Sequence, residues 1–149
     1  MTDPVPYDEV DPPVRELVRI LNELGGVSTI GSCGGHEHGT PGGIHAAADE
    51  WWVTFELEPA AREAATTAPS AEAWVDLEFL VYWVGRLIAR GREVMIVPYA
   101  PPPHMNEPGR MLRFELRGFR GGKDGVEPDE VAAWIRKGLD ELYVPQEDT

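Results

Sequence analysis

The run Trp51-Trp52-Val53-Thr54-Phe55-Glu56-Leu57-Glu58 alternates between two kinds of side chain. Successive side chains of a β-strand point to opposite faces of the sheet, so every second residue of the run shares a face. One of these faces is wholly apolar and the other is mostly polar, which is typical of an antiparallel strand that lies on a core. The run therefore predicts a half-buried strand and decides the class of fold.

Helical patterns flank this strand on both sides. Asp11-Pro12-Pro13 predicts an N-cap with prolines in the first turn, and Gly25-Gly26 predicts the end of that helix. A longer helix is predicted from Ser70 to Gly91; its aromatic residues widen the apolar surface, so we expect it to be central and largely covered. A last helix is predicted from near Glu127. Extended runs predict further strands at 27–32, 94–97 and 111–119.

The predicted order of elements is αββαββα. A helix, a strand, a long loop and a second strand occur twice, so the two αββ units could be related by a pseudo-twofold axis. We predict one α+β domain over 1–149, with 1–11 and 145–149 loose. The architecture expected is a two-layer sandwich, with a four-stranded, mainly antiparallel sheet and the helices on one face. This is the element order of a circularly permuted ferredoxin-like fold.

Composition and charge limit the classes of function. A net charge of −13 argues against nucleic acid and anionic membranes as partners, since both favour a positive surface. One cysteine cannot form an intrachain disulfide, which suits a reducing compartment. The first residues have no basic, apolar leader pattern, and no run approaches the ~20 apolar residues that span a bilayer. We therefore expect a soluble, cytoplasmic protein.

The chain's only cysteine and two of its four histidines lie within Gly31-Ser32-Cys33-Gly34-Gly35-His36-Glu37-His38. Thiolate and imidazole are ligands of zinc and other late transition metals, so Cys33, His36 and His38, with His45, are the candidate metal ligands. Glu37 is the candidate catalytic base, because a carboxylate beside a bound metal can accept a proton from its water.

Three other interpretations of this segment stay open. It could be a glycine-rich surface turn in which Cys33 is only a small buried apolar residue. Cys33 could be a nucleophile activated by a neighbouring histidine. Without a metal, Ser32 and the backbone N–H groups of Gly34 and Gly35 could hold an anionic ligand.

A basic cluster near the fourth predicted strand is the second candidate site. Arg113 and Arg117 project from one face of that strand and could bind a phosphate or carboxylate, with Trp52 on the same polar face to stack a planar ligand or a partner. The alternative is that the arginines pair with glutamates on the neighbouring strand, at Glu56 or Glu58. The same surface would serve an acidic interaction module or a homodimer.

The segment Thr29-Ile30-Gly31-Ser32-Cys33-Gly34-Gly35-His36 follows a predicted helix. It resembles the Ser-Cys-Ser-Gly-Arg segment of the tRNA wybutosine-synthesizing protein 3 family. It also resembles small bacterial and phage proteins with a Ser-Cys-x-Gly-His segment between a helix and an aromatic-rich strand. The resemblance covers residues 14–58 and implies an α+β fold and S-adenosylmethionine-dependent methyl transfer to tRNA. The family has arginine where this chain has His36. From the resemblance we therefore expect only a ligand-binding loop in this chain, and not the methyl-transfer reaction.

Overall fold

The computed structural model describes residues 7–43, 45–61, 68–99 and 113–142. The predicted order αββαββα is confirmed, and a one-turn 3-10 helix, Tyr7–Glu9, precedes it. Of the segments that we expected to be loose, 1–11 and 145–149, residues 1–6 and 145–149 lie outside the described residues, as does the start of the last predicted strand, 111–112. Within the remainder of the first segment, Tyr7–Glu9 form the 3-10 helix and Asp11 is the N-cap of the first α-helix. The elements are α1 (Pro12–Glu23), β1 (Val27–Cys33), β2 (Glu50–Leu57), α2 (Ala71–Ala89), β3 (Val94–Tyr99), β4 (Arg113–Phe119) and α3 (Pro128–Leu142).

The four strands form one antiparallel sheet in the order β1-β2-β4-β3. The two central strands, β2 and β4, pair with Val53 opposite Leu116. The strand order reads the same when the two αββ halves are exchanged, as the predicted pseudo-twofold requires. A bulge between Thr29 and Gly31 shifts the register of β1 by one residue, so that Cys33 lies opposite Trp52.

The helices cover one face of the sheet, which confirms the predicted two-layer sandwich. Trp51, Val53, Phe55 and Leu57, the predicted apolar face of β2, are fully buried in the core. The indole N–H of Trp51 donates to the carbonyl of Val126 at 2.8 Å, so that its polar group is satisfied within the core. Within the described part of the chain, no helix is long and apolar enough to cross a membrane.

Helix α2 begins as predicted and is less covered than predicted. The Ser70 hydroxyl accepts a hydrogen bond from the N–H of Ala73, as an N-cap does. Phe79 and Trp83 are buried. The expectation that this helix is largely covered is wrong, because α2 packs on the sheet and α3 along one side only and leaves a row of large apolar side chains exposed: Trp74, Val75, Val81, Tyr82 and Ile88.

Candidate metal centre

The loop 34–49 between β1 and β2 folds back on itself through its backbone. The N–H of His36 donates to the carbonyl of Ala46 at 2.8 Å, and the N–H of Thr40 donates to the carbonyl of His45 at 2.9 Å. A side chain at Gly39 would overlap the backbone of Ala46, so the two arms of the loop can lie this close only with glycine there. The loop therefore has a defined backbone course around Cys33 and His36.

Two arginine side chains donate hydrogen bonds to backbone carbonyls in the second half of this loop and at the start of β2. The Arg120 guanidinium donates to the carbonyls of Ala48 at 3.1 Å and Glu50 at 3.2 Å. The Arg117 guanidinium donates to the carbonyl of Gly43 at 3.2 Å. Arg117 lies in β4 and Arg120 directly follows it. These hydrogen bonds therefore connect the loop to β4 as well as to the two strands that it joins.

Asp11 belongs to the site, although its sequence context predicted only a helix cap. It is the N-cap residue of α1, but its carboxylate makes no hydrogen bond to that helix. Instead its Oδ2 accepts the N–H of Gly34 at 2.9 Å and lies 3.4 Å from Nε2 of His36. Pro12 and Pro13 occupy the first helical positions and have no N–H for a capping carboxylate to accept. The N–H of Val14, the third helical residue, donates to the backbone carbonyl of Asp11 at 3.1 Å, so no local pattern identified the carboxylate of Asp11 as part of the site.

The thiol of Cys33 is buried at the end of β1, where its Sγ accepts the N–H of Ala46 at 3.4 Å. One ligand atom from each of Asp11, Cys33 and His36 lies within 4.8 Å of the other two. Tetrahedral zinc with thiolate, imidazole and carboxylate ligands would hold the three atoms roughly 3.3–3.6 Å apart, as the usual bond lengths require. Small side-chain rotations would bring the three ligand atoms from their present separations, of up to 4.8 Å, to those that zinc requires.

The site is buried on one side and open on the other. Cys33 is 4% exposed, whereas the side chains of His36 and Asp11 are 48% and 36% exposed. The imidazole of His36 and the carboxylate of Asp11 are therefore open to solvent, whereas the Cys33 sulfur faces the protein interior.

The other sequence-predicted residues of the loop lie around this group and outside it. His45 is exposed, and its ring stands edge-on to that of His36 with the centroids 5.9 Å apart. His38 and Glu37 are also exposed. Among the described residues, the group that can hold a metal contains none of these three, so their roles as ligand or base stay predictions.

One of the backbone N–H groups that we predicted to bind an anion is already hydrogen-bonded within the protein. The N–H of Gly34 donates to the carboxylate of Asp11, so this amide binds an anionic group of the chain itself. Gly35 has a φ of +99° and is enclosed by the carbonyls of Ala47 and Glu50. Ser32 lies within β1, opposite Val53 of β2. The loop's glycines thus serve close packing, and anion binding by Ser32 and Gly35 stays a prediction.

The arginines of β4 pair with carboxylates of the chain. Arg113 lies 3.4 Å from Glu56, which confirms the alternative that it pairs with a glutamate of the neighbouring strand. Arg117 pairs with Glu50 at 2.7 Å and with Glu115 at 3.1 Å. Trp52 lies opposite Arg117 on the sheet face away from the helices. Binding of an external anion by these residues stays a prediction, and it would have to compete with the carboxylates already present.

Comparison with protein-family models, with curated proteins and with solved structures found no match for this chain. The resemblance to the tRNA wybutosine-synthesizing protein 3 family therefore stays a prediction.

Proposed function

We propose that the protein binds a transition metal ion, with zinc as the first candidate, through Asp11, Cys33 and His36. The observation that carries the proposal is the convergence of the thiol and imidazole of Cys33 and His36 with the carboxylate of the distant Asp11 within 4.8 Å. Thiolate and imidazole select zinc and similar ions over magnesium and calcium, which prefer oxygen ligands throughout.

The surroundings of the three residues support this proposal. Metal-binding side chains are commonly oriented by hydrogen bonds from a second layer of groups. Here the N–H of Gly34 orients the Asp11 carboxylate, and the N–H of Ala46 points at the Cys33 sulfur. Because the loop and β1 already hold these donors in place, the ligands need little reorganisation to close around an ion.

Three protein ligands leave one tetrahedral position for water or substrate, as in catalytic rather than structural zinc sites. A metal ion held there would act as a Lewis acid and lower the pKa of a bound water. His36 and Asp11 are open to solvent on one side, and Glu37 follows His36 directly as the candidate proton acceptor. The proposal thus extends to a metal-dependent hydrolase or transferase acting on a small molecule.

The proposed ligand set requires a reduced thiol, because a disulfide sulfur cannot serve as the thiolate ligand. We therefore place the protein in a reducing compartment such as the cytoplasm. This assignment rests on the metal site and fails with it.

The experiment is a metal analysis of protein prepared without a histidine tag or chelator, followed by zinc titration against a chromophoric chelator. Cys33→Ser and His36→Gln are the test variants. His38→Gln is the matched control, because it removes the same type of side chain two residues away from outside the group. Near-UV circular dichroism checks that each variant is folded.

The expected result is about one zinc per chain, with affinity lowered more than about 100-fold in both test variants and unchanged in His38→Gln. Even residues that only orient a ligand change metal affinity by about 10–100-fold, so a true ligand should do more. Equal zinc affinity in all four proteins, or no zinc bound by any, would overturn the proposal.

A further inference from the structure

The outer face of α2 is an apolar row that the fold leaves uncovered. Val75 and Tyr82 are 64% and 60% exposed, and Trp74, Val81 and Ile88 are close to half exposed. These side chains recur at the spacing of one helical face, opposite the buried Leu80, Val84 and Leu87. An exposed apolar surface of this extent is typical of an interaction site.

The row continues into a groove between α2 and α3. The groove has a volume of about 1050 Å³, and its lining includes Trp74, Phe79, Tyr82 and Leu142. Most of its surface is apolar, and it is wide open to solvent. Its lining residues on α2 run from Trp74 to Arg86, a stretch that an elongated element such as a helix could follow.

The residues of α2 are arranged so that the helix can pair with itself in the antiparallel direction. With a twofold axis between Val81 and Tyr82, Val81 lies opposite Tyr82 of the second copy, and Val75 lies opposite Ile88 of the second copy. Glu78 lies opposite Gly85. A Cβ at Gly85 would touch nothing within the protein, so this position leaves open space at the centre of the face.

The charges on this face are complementary under the same symmetry. Glu78 and Arg86 make no ion pair with any residue that the structure describes. Arg86 instead lies over the rings of Trp83 at 4.9 Å, Trp134 at 5.5 Å and Tyr82 at 5.8 Å, so its guanidinium is held against aromatic faces in the lining of the groove. Antiparallel pairing brings each Glu78 next to the partner's Gly85 and Arg86, so two equivalent ion pairs form across the axis.

We propose that the outer face of α2, with the groove beside α3, binds a second copy of this chain in a twofold homodimer with the α2 helices antiparallel. The interface is apolar along its length, with the two Glu78–Arg86 pairs fixing the register. Dimerisation in this arrangement is independent of the metal site, since none of the three proposed ligands lies on α2.

The test is light scattering coupled to size-exclusion chromatography over a wide concentration range, with sedimentation equilibrium for the dimer constant. Glu78→Arg places like charges against Arg86, and Tyr82→Glu places two carboxylates beside the axis; each should weaken the dimer more than about tenfold. Asp140→Arg is the matched control, because it makes the same charge change on an exposed position of α3 outside the groove lining.

A mixing experiment tests the register itself. Glu78→Arg and Arg86→Glu chains should each dimerise poorly, yet combine into a heterodimer in which both ion pairs are restored with reversed sign. Near-UV circular dichroism confirms that both variants are folded. A monomer at every concentration, a dimer unaffected by Glu78→Arg and Tyr82→Glu, or no heterodimer on mixing would each overturn the proposal.

Discussion

The guanidinium of Arg117 lies 2.7 Å from the carboxylate of Glu50, and both side chains are more than nine-tenths buried. The pair joins β4 to the first residue of β2, and the same carboxylate accepts the N–H of Gly42 at 2.9 Å. Arg117 also donates to the carbonyl of Gly43. One buried ion pair thus connects the sheet to the loop that contains the candidate metal site.

Arg117→Met should destabilise the protein by about 3–5 kcal/mol, because it leaves the buried charge of Glu50 without its partner. Glu50→Gln should destabilise it less, because Arg117 keeps its ion pair with Glu115, and the double variant should lose less than the sum of the two. Urea unfolding measures all three. Arg136→Ala, which breaks an exposed pair with Glu23, should lose less than about 1 kcal/mol. Strict additivity of the buried pair would contradict this account.

Gly35→Ala should both destabilise the loop and weaken zinc binding. Gly35 has a φ of +99°, and a Cβ there would lie 2.6 Å from the carbonyl oxygen of Glu50. Gly42→Ala separates the two effects, since Gly42 has a φ of +70° with open space around it. We expect Gly42→Ala to lose about 1–2 kcal/mol from backbone strain alone. The loss in Gly35→Ala should be clearly larger; equal losses by urea unfolding would show that the close contact does not matter.

Asp11→Asn should lower zinc affinity while leaving the fold intact. The amide oxygen of asparagine can still accept the N–H of Gly34, but it is a neutral and weaker metal ligand than a carboxylate. We expect at least about a tenfold loss in chelator competition. Asp49→Asn is the control, because Asp49 is exposed at the far end of the same loop and outside the ligand group. An unchanged zinc affinity in Asp11→Asn would show that Asp11 is not a metal ligand.

Gly118→Ala should disrupt the core beneath the sheet. A Cβ at Gly118 would overlap the indole ring of Trp51, which is fully buried and lies opposite it across the strands. Overpacking of this kind costs about 1–3 kcal/mol or more. Gly121→Ala, at an exposed position with open space, should change the free energy of unfolding by less than about 0.5 kcal/mol. Thermal unfolding of the two variants gives the comparison, and similar midpoints would contradict it.

Asp76 and Glu130 should affect stability with opposite dependence on pH. Burial raises the pKa of Asp76 from 3.8, and the nearby charge of Glu72 adds to this, although the N–H of Gly26 acts the other way. The folded state therefore holds the proton more tightly, and its contribution to stability is full below pH 3.8 and is lost as the pH rises through the folded pKa. Asp76→Asn should be no less stable than the parent at pH 7, with the difference vanishing in acid.

Glu130 is the contrasting case. Its hydrogen bond from Arg92 lowers its pKa from 4.5, so its contribution is present above pH 4.5 and is lost as the pH falls through the folded value. Glu130 is largely exposed, and Glu130→Gln should lose less than about 1 kcal/mol at pH 7. Urea unfolding from pH 3 to pH 7 measures both variants. The same direction of pH dependence in both would contradict the assignment.

Much of the fold follows from local periodicity. The alternation in β2, the N-cap at Ser70 and the prolines at the start of α1 predicted their elements within one or two residues. The strand predicted at 94–97 extends to Tyr99, because β3 is an edge strand and can include Pro98. Cys33 and His36 were identified as candidate ligands because their side chains have specific metal chemistry.

The sequence by itself thus determined the elements, their order and two of the three candidate ligands, since these depend on neighbours a few residues apart. Only the tertiary structure decided that Asp11 reaches Gly34 across 23 positions of the chain. It also decided that a bulge in β1 places Cys33 opposite Trp52 rather than Trp51, and that Arg117 is buried against Glu50. Such contacts depend on strand register and on how distant segments pack, and no local pattern contains that information.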